Sequence, residues 1–131
     1  MTALYWVPVT AVVSIHDRQI RRHGGAPGIR DIGLLEGACA RPVNKHAYEG
    51  GEIAELAASY AFGIAKAHAF VDGNKRTAFV TAGAFLRMNG FGFRPDIREG
   101  LRMMEGLADG SVPEASIADW FAAGAEALTK D

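Results

Sequence analysis

At 131 residues the chain has the length of one ordinary domain and leaves little room for a second module. Apolar residues make up 49% and charged residues 22%, a globular balance that excludes a disordered chain. The formal net charge of -1 offers no broad cationic surface, so no nucleic acid partner is expected, and the single cysteine, Cys39, excludes an intramolecular disulfide or a cysteine-based zinc cluster.

The start, Met1 to Pro8, lacks the basic run and apolar stretch of a signal peptide, and no segment approaches a membrane-spanning length of apolar residues. The expectation is a cytoplasmic protein with no membrane partner, a single domain over residues 1–131. No internal repeat or low-complexity tract interrupts it.

The first helix is predicted from Thr10 to His23, where Gly24-Gly25 stops it. Residues 24–31 hold three glycines and a proline, too broken for a helix and suited to an extended flap. Asp31 caps a second helix over Ile32 to Arg41, which Pro42 is expected to end because the residue before proline avoids the α region. A longer helix from Gly51 to His68 carries Ile53, Leu56, Tyr60, Ile64 and His68 at helical spacing. Asn74 to Asn89 forms the next, with Ala78, Ala82, Phe85 and Leu86 on one side and Gly90 as its stop. Cap signals at Asp96 and Ser111 place two more helices near 97–108 and 113–129. Phe91-Gly-Phe93 is the one strand-like stretch, too short for a sheet core, so the fold class is all-α.

The chemistry gathers around Gly73. Lys75 and Arg76 fall in the first turn of a helix, where the macrodipole disfavours cations by up to about 1 kcal/mol each. An anion there would offset them. The unpaired N–H groups of the helix start, with Gly73 allowing close approach and Asn74 adding a side-chain amide, form a phosphate site. Asp72, just before the turn, suits a magnesium ion whose other ligands are phosphate oxygens and water, which makes the anion a nucleotide. Each residue also has a purely structural reading: Asp72 as an N-cap, Lys75 and Arg76 as a solvated face, His68 as a C-terminal cap. Their concentration within nine residues, His68 to Arg76, favours the functional one.

The run His68-x-Phe70-x-Asp72-Gly73-Asn74-x-Arg76 resembles the Fic signature, and Lys75 with Thr77 is similar to the Doc branch, the death-on-curing toxins. Gly24-Gly-x-Pro-Gly-Ile-Arg-Asp31, Gly33-Leu-Leu-Glu36 and Ala40-Arg-Pro42 look like the amino-terminal half of Doc. The resemblance implies a compact six-helix bundle with a short flap. It implies His68 as the catalytic base, Asp72 as the magnesium ligand, and Gly73, Asn74, Lys75 and Arg76 as the residues that hold ATP. It also implies a toxin that modifies a Ser/Thr hydroxyl of a protein, elongation factor Tu, and so inhibits translation. Lys75 in place of a second glycine and Phe79 in place of the final arginine point from AMP transfer to γ-phosphate transfer, while Gly73 stands where Doc has alanine.

The flap suits main-chain pairing with an extended target segment. No Glu-Gly or Glu-Asn pair fits the inhibitory Ser/Thr-x-x-x-Glu-(Gly/Asn) motif, since Glu36, Glu49, Glu99 and Glu105 follow Ile32, Lys45, Pro95 and Leu101 by four residues. Without an internal brake, the resemblance implies a separate Phd-like antitoxin that docks a helix in a groove. Adenylyl transfer, a non-catalytic nucleotide- or protein-binding module, and a helix-turn-helix regulator around Arg21-Arg22 are the competing readings.

Overall fold

The computed structural model describes residues 3–128. Among these, six helices follow in order: α1 Val9–His23, α2 Ile32–Glu49, α3 Ile53–Ala67, α4 Asn74–Met88, α5 Ile97–Asp109 and α6 Glu114–Gly124. Two short strands, β1 Phe91–Gly92 and β2 Glu126–Ala127, pair antiparallel, so the protein is all-α with a small clasp. No described helix is long and apolar enough to cross a membrane.

Helix α3 is the axis of the bundle, touching α2, α4, α5 and α6. It is buried on nearly every side, which explains its run of alanines, Ala54, Ala57, Ala58, Ala61 and Ala65, interrupted by Leu56, Tyr60 and Ile64. Small side chains let neighbouring helices approach from several directions at once. Phe85 and Leu86 of α4, Leu107 of α5, and Ile117 and Phe121 of α6 complete a core with no solvent exposure at these positions. The segment before α1 is fastened to this core. Trp6 stacks on Phe85, the Tyr60 hydroxyl accepts from the Val7 N–H, and the Asn89 amide exchanges hydrogen bonds with both main-chain groups of Tyr5.

Two elements depart from the sequence expectation. Helix α2 does not stop at Pro42 but runs through it to Glu49. A proline inside a helix leaves the carbonyl four residues earlier, here Ala38, without its donor, at a cost of about 3 kcal/mol or more. Tertiary contacts offset this. Arg41 makes a bidentate pair with Glu114 of α6 at 2.6 Å for each bond, reaches Ser59, and lies over the Phe62 ring at 4.4 Å. Pro42 itself is buried, and His46 meets Trp6. On the other side Gly63 admits α3 against Ala38: a methyl group at Gly63 would stand only 3.2 Å from the Ala38 carbonyl oxygen.

The last helix was expected to reach residue 129, which lies outside the described residues; α6 ends at Gly124. An added Cβ at Gly124 would meet the Phe93 ring at 2.5 Å, so the close fit of Phe93 against the end of α6 turns the chain. Phe93 stands edge-on to Trp120 and Phe121. Beyond it the backbone becomes extended and Glu126–Ala127 pairs with Phe91–Gly92.

Cys39 is buried against this core, and burial pushes its thiol up to about 11. It is therefore expected to resist alkylation at neutral pH until the protein unfolds, as mass spectrometry of iodoacetamide-treated native and denatured protein would report. Gly63→Val should destabilise the fold by about 1–3 kcal/mol through overpacking at Ala38, seen as a lower urea midpoint with an unchanged denaturant slope.

Candidate active site

Helix α3 ends at Ala67, and His68 follows in the left-handed region, φ 50° and ψ 42°. It is the only described non-glycine residue with positive φ. Such a backbone costs on the order of 1 kcal/mol and persists where the surroundings fix it. The turn sends the chain away from the α3 axis and leaves the imidazole exposed at the mouth of a cavity of about 450 Å³.

The loop between α3 and α4 is closed by Asn74. Its Oδ1 accepts from the Phe70 N–H and its amide donates to the Phe70 carbonyl, both at 3.0 Å. Phe70 is buried and its ring lies flat on His16 of α1, with centroids 3.8 Å apart and planes 7° from parallel. The His16 Nε2 lies 2.7 Å from the Asp72 carbonyl oxygen. Gly73 then takes φ 75° and begins α4.

At that start no side chain among the described residues caps the helix. The N–H groups of Asn74, Lys75 and Arg76 have no intrahelical acceptor, as the first turn of any α-helix leaves them, and the three residues line the cavity. Of the groups the motif assigns to the anion, the Gly73 N–H and one N–H of the Asn74 amide also make bonds within the loop. The Gly73 N–H donates to Asp72 Oδ1 at 2.8 Å, and the Asn74 amide holds Phe70. Gly73 also lies against α1. A Cβ there would point at Ile20 Cδ1, 3.2 Å away, and at the His16 ring, so the glycine answers to its left-handed backbone and to α1.

The flap lies along the same loop. Arg30 and Asp31 donate main-chain N–H groups to the Ala69 carbonyl at 2.7 and 3.0 Å, Val71 donates to Gly28, and Ile29 bridges Phe70. Asp72 Oδ2 accepts from the Ala26 N–H at 3.2 Å. Gly25, at φ 114°, must lack a side chain because a Cβ would stand 2.8 Å from that carboxylate oxygen. Each Asp72 oxygen thus takes one main-chain bond and keeps lone-pair capacity outward, on an exposed side chain.

The motif residues His68, Asp72, Gly73, Asn74, Lys75 and Arg76 all line the cavity. Its opposite wall is α5, which contributes Leu101 and Glu105. These were not assigned from sequence. The signal was slight: a leucine and a glutamate four apart on one helix face, in a segment without motif character. At the end of α5 the Ser111 side-chain and main-chain hydrogen bonds hold the Asp109 carboxyl below its ordinary range, helped by attraction to Lys75 and Lys66. Lys75 and Glu105 line the same cavity. Position 79 sits underneath, its ring 2.5 Å from where a Cβ on Gly100 would be and near Trp120, so no cation occupies that point.

The sequence profile of the Fic/DOC family matches residues 6–86. The chain is similar to "Protein kinase doc" of Escherichia phage P1, 38% identical over 111 residues that cover 82% of this chain and 86% of that protein. It is also similar to "Toxin Doc" of Mycolicibacterium smegmatis, 44% identical over 71 residues, 51% of this chain and 53% of that one. The chain belongs to the Fic/Doc family, on its Doc branch. The family match ends within α4, so the α5 wall of the cavity lies beyond it.

Within this Doc-branch site the Asn74 clasp predicts a separable effect. Asn74→Ala removes both hydrogen bonds to Phe70 and should lower stability by about 1–3 kcal/mol in urea unfolding, with the loop amides of residues 68–73 losing exchange protection first.

Proposed function

We propose that this protein is a Doc-like toxin: a kinase that transfers the γ-phosphate of ATP to a serine or threonine hydroxyl of a protein target. The reading is supported above all by one juxtaposition. An exposed histidine shares a cavity with an uncapped helix start, two cations and a carboxylate, in a chain 38% identical to a protein named as a kinase.

His68 is the general base. As the acceptor hydroxyl oxygen forms its bond to the γ-phosphorus, the imidazole takes the hydroxyl proton; the bond from that phosphorus to the bridging oxygen breaks and ADP leaves. Such assistance contributes roughly 10²–10⁴-fold. The N–H groups of Asn74, Lys75 and Arg76, with the Lys75 and Arg76 side chains, meet the phosphate oxygens and stabilise charge as it redistributes. They are fixed before the reaction, so no reorganisation is needed at the transition state. The donor set fits magnesium, since a lone carboxylate with outward lone pairs suits an ion that completes its shell with phosphate and water, and Asp72 is that ligand. A magnesium ion held there by Asp72 would supply positive charge against the charge developing on the phosphate.

Phosphate transfer is favoured over AMP transfer by position 79, where an aromatic ring packs under α5 and supplies no further cation. The flap is the target-docking element. One of its edges is already paired with residues 69–71, and the exposed residues of the other can receive an extended segment by main-chain pairing. Elongation factor Tu is the target proposed, with inhibition of translation as the consequence and the cytoplasm as the place of action. A Phd-like antitoxin, docking a helix in a groove, is the proposed partner that restrains it.

The decisive measurement is intact-mass analysis of elongation factor Tu after incubation with the protein, ATP and magnesium. Addition of one phosphate is expected; addition of AMP would replace the kinase reading with adenylyl transfer, and no modification of any protein in a translation extract would remove both. His68→Asn, whose side chain tolerates the left-handed backbone, should lower the rate by at least about 10²-fold while the protein stays folded by circular dichroism.

A further inference from the structure

His16 is buried, 1% exposed, and its role is not explained by packing alone. Its Nε2 meets the Asp72 carbonyl at 2.7 Å, and because a carbonyl only accepts, Nε2 must carry a proton. The other ring nitrogen lies 3.8 Å from Asp17, a carboxylate more than half exposed. The same imidazole stacks on Phe70 and, with Ile20 one turn further along α1, forms the surface on which Gly73 rests.

The carbonyl that His16 engages bears on one donor of the anion site. Were α4 continued back by one residue at each step, the Asp72 carbonyl would accept the N–H of Arg76, four residues on, and one of the free donors would be lost. The left-handed Gly73 follows that carbonyl, which meets the buried His16 ring of α1 instead of a helix N–H. Without the His16 donor that carbonyl would be free to turn back toward the Arg76 N–H.

We infer that His16 is a positioning residue: by donating from Nε2 to the Asp72 carbonyl it keeps the start of α4 uncapped and the Arg76 N–H available to phosphate. It touches neither nucleotide nor acceptor. The inference rests on the proposed ATP-dependent reading for its consequence, but its structural content is independent of it.

Nitrogen-15 spectra of the wild-type protein should show a proton on His16 Nε2; a bare Nε2 would overturn the inference whatever the variants do. His16→Phe keeps the ring stack on Phe70 and removes the donor, whereas His16→Gln keeps a donor. The phenylalanine variant should shift the amide resonances of Gly73 to Arg76 and weaken ATP binding in calorimetry by about tenfold, with the glutamine variant restoring most of both. Unchanged resonances from Gly73 to Arg76 in His16→Phe would also sink it. Should the wild-type protein fail to bind ATP, the kinase reading falls, while the Nε2 proton and the amide shifts still decide the role of His16.

Discussion

The two hydrogen bonds between the Asn74 side chain and the main chain of Phe70 are the constraint on which the site depends. A loop leaving one helix and entering another has many conformations of similar energy. By pinning both polar groups of Phe70 to the first residue of α4, Asn74 selects one in which His68 turns outward and Phe70 turns inward. The first turn of α4 is then left uncapped by the loop, with its residues lining the cavity. The helix dipole and the cations of its first turn reinforce each other at that point, and the bare helix start has electrostatic need of an anion.

This division of labour separates groups that hold the site from groups that act. Asn74 and Phe70 spend their polarity on the loop, and the Gly73 N–H closes on Asp72. Lys75, Arg76 and His68 remain unspent at the cavity surface. A motif read as a row of ligands is, in the folded protein, an alternation of props and tools.

Much of the fold was legible in the sequence because helical periodicity reports burial directly: Leu56, Tyr60 and Ile64 form a stripe that can only be a core face. Pro42 misled because local conformational preference is a small energy beside a bidentate Arg41–Glu114 pair and the close fit of Ala38 on Gly63, contacts between residues far apart in sequence. The same holds for the end of α6, where the ring of Phe93 decides against continued helix. The site was legible in part: His68, Asp72 and the cations are dense within a few residues, and that density is itself the signal. Leu101, Glu105 and His16 reach the site from other helices, and nothing in their local sequence says where those helices cross.

The bond from His16 to Asp72 joins residues 56 apart, the Arg41–Glu114 pair spans 73, and the Tyr5–Asn89 clasp spans 84. Closing such long loops is entropically costly and takes place only once both ends of each exist. A chain emerging from the ribosome therefore holds every residue of the motif well before it holds the pocket, whose α5 wall is synthesised later still. Topology alone therefore makes the cavity a late product of folding, since the motif residues meet their second wall only once α5 has been made and packed.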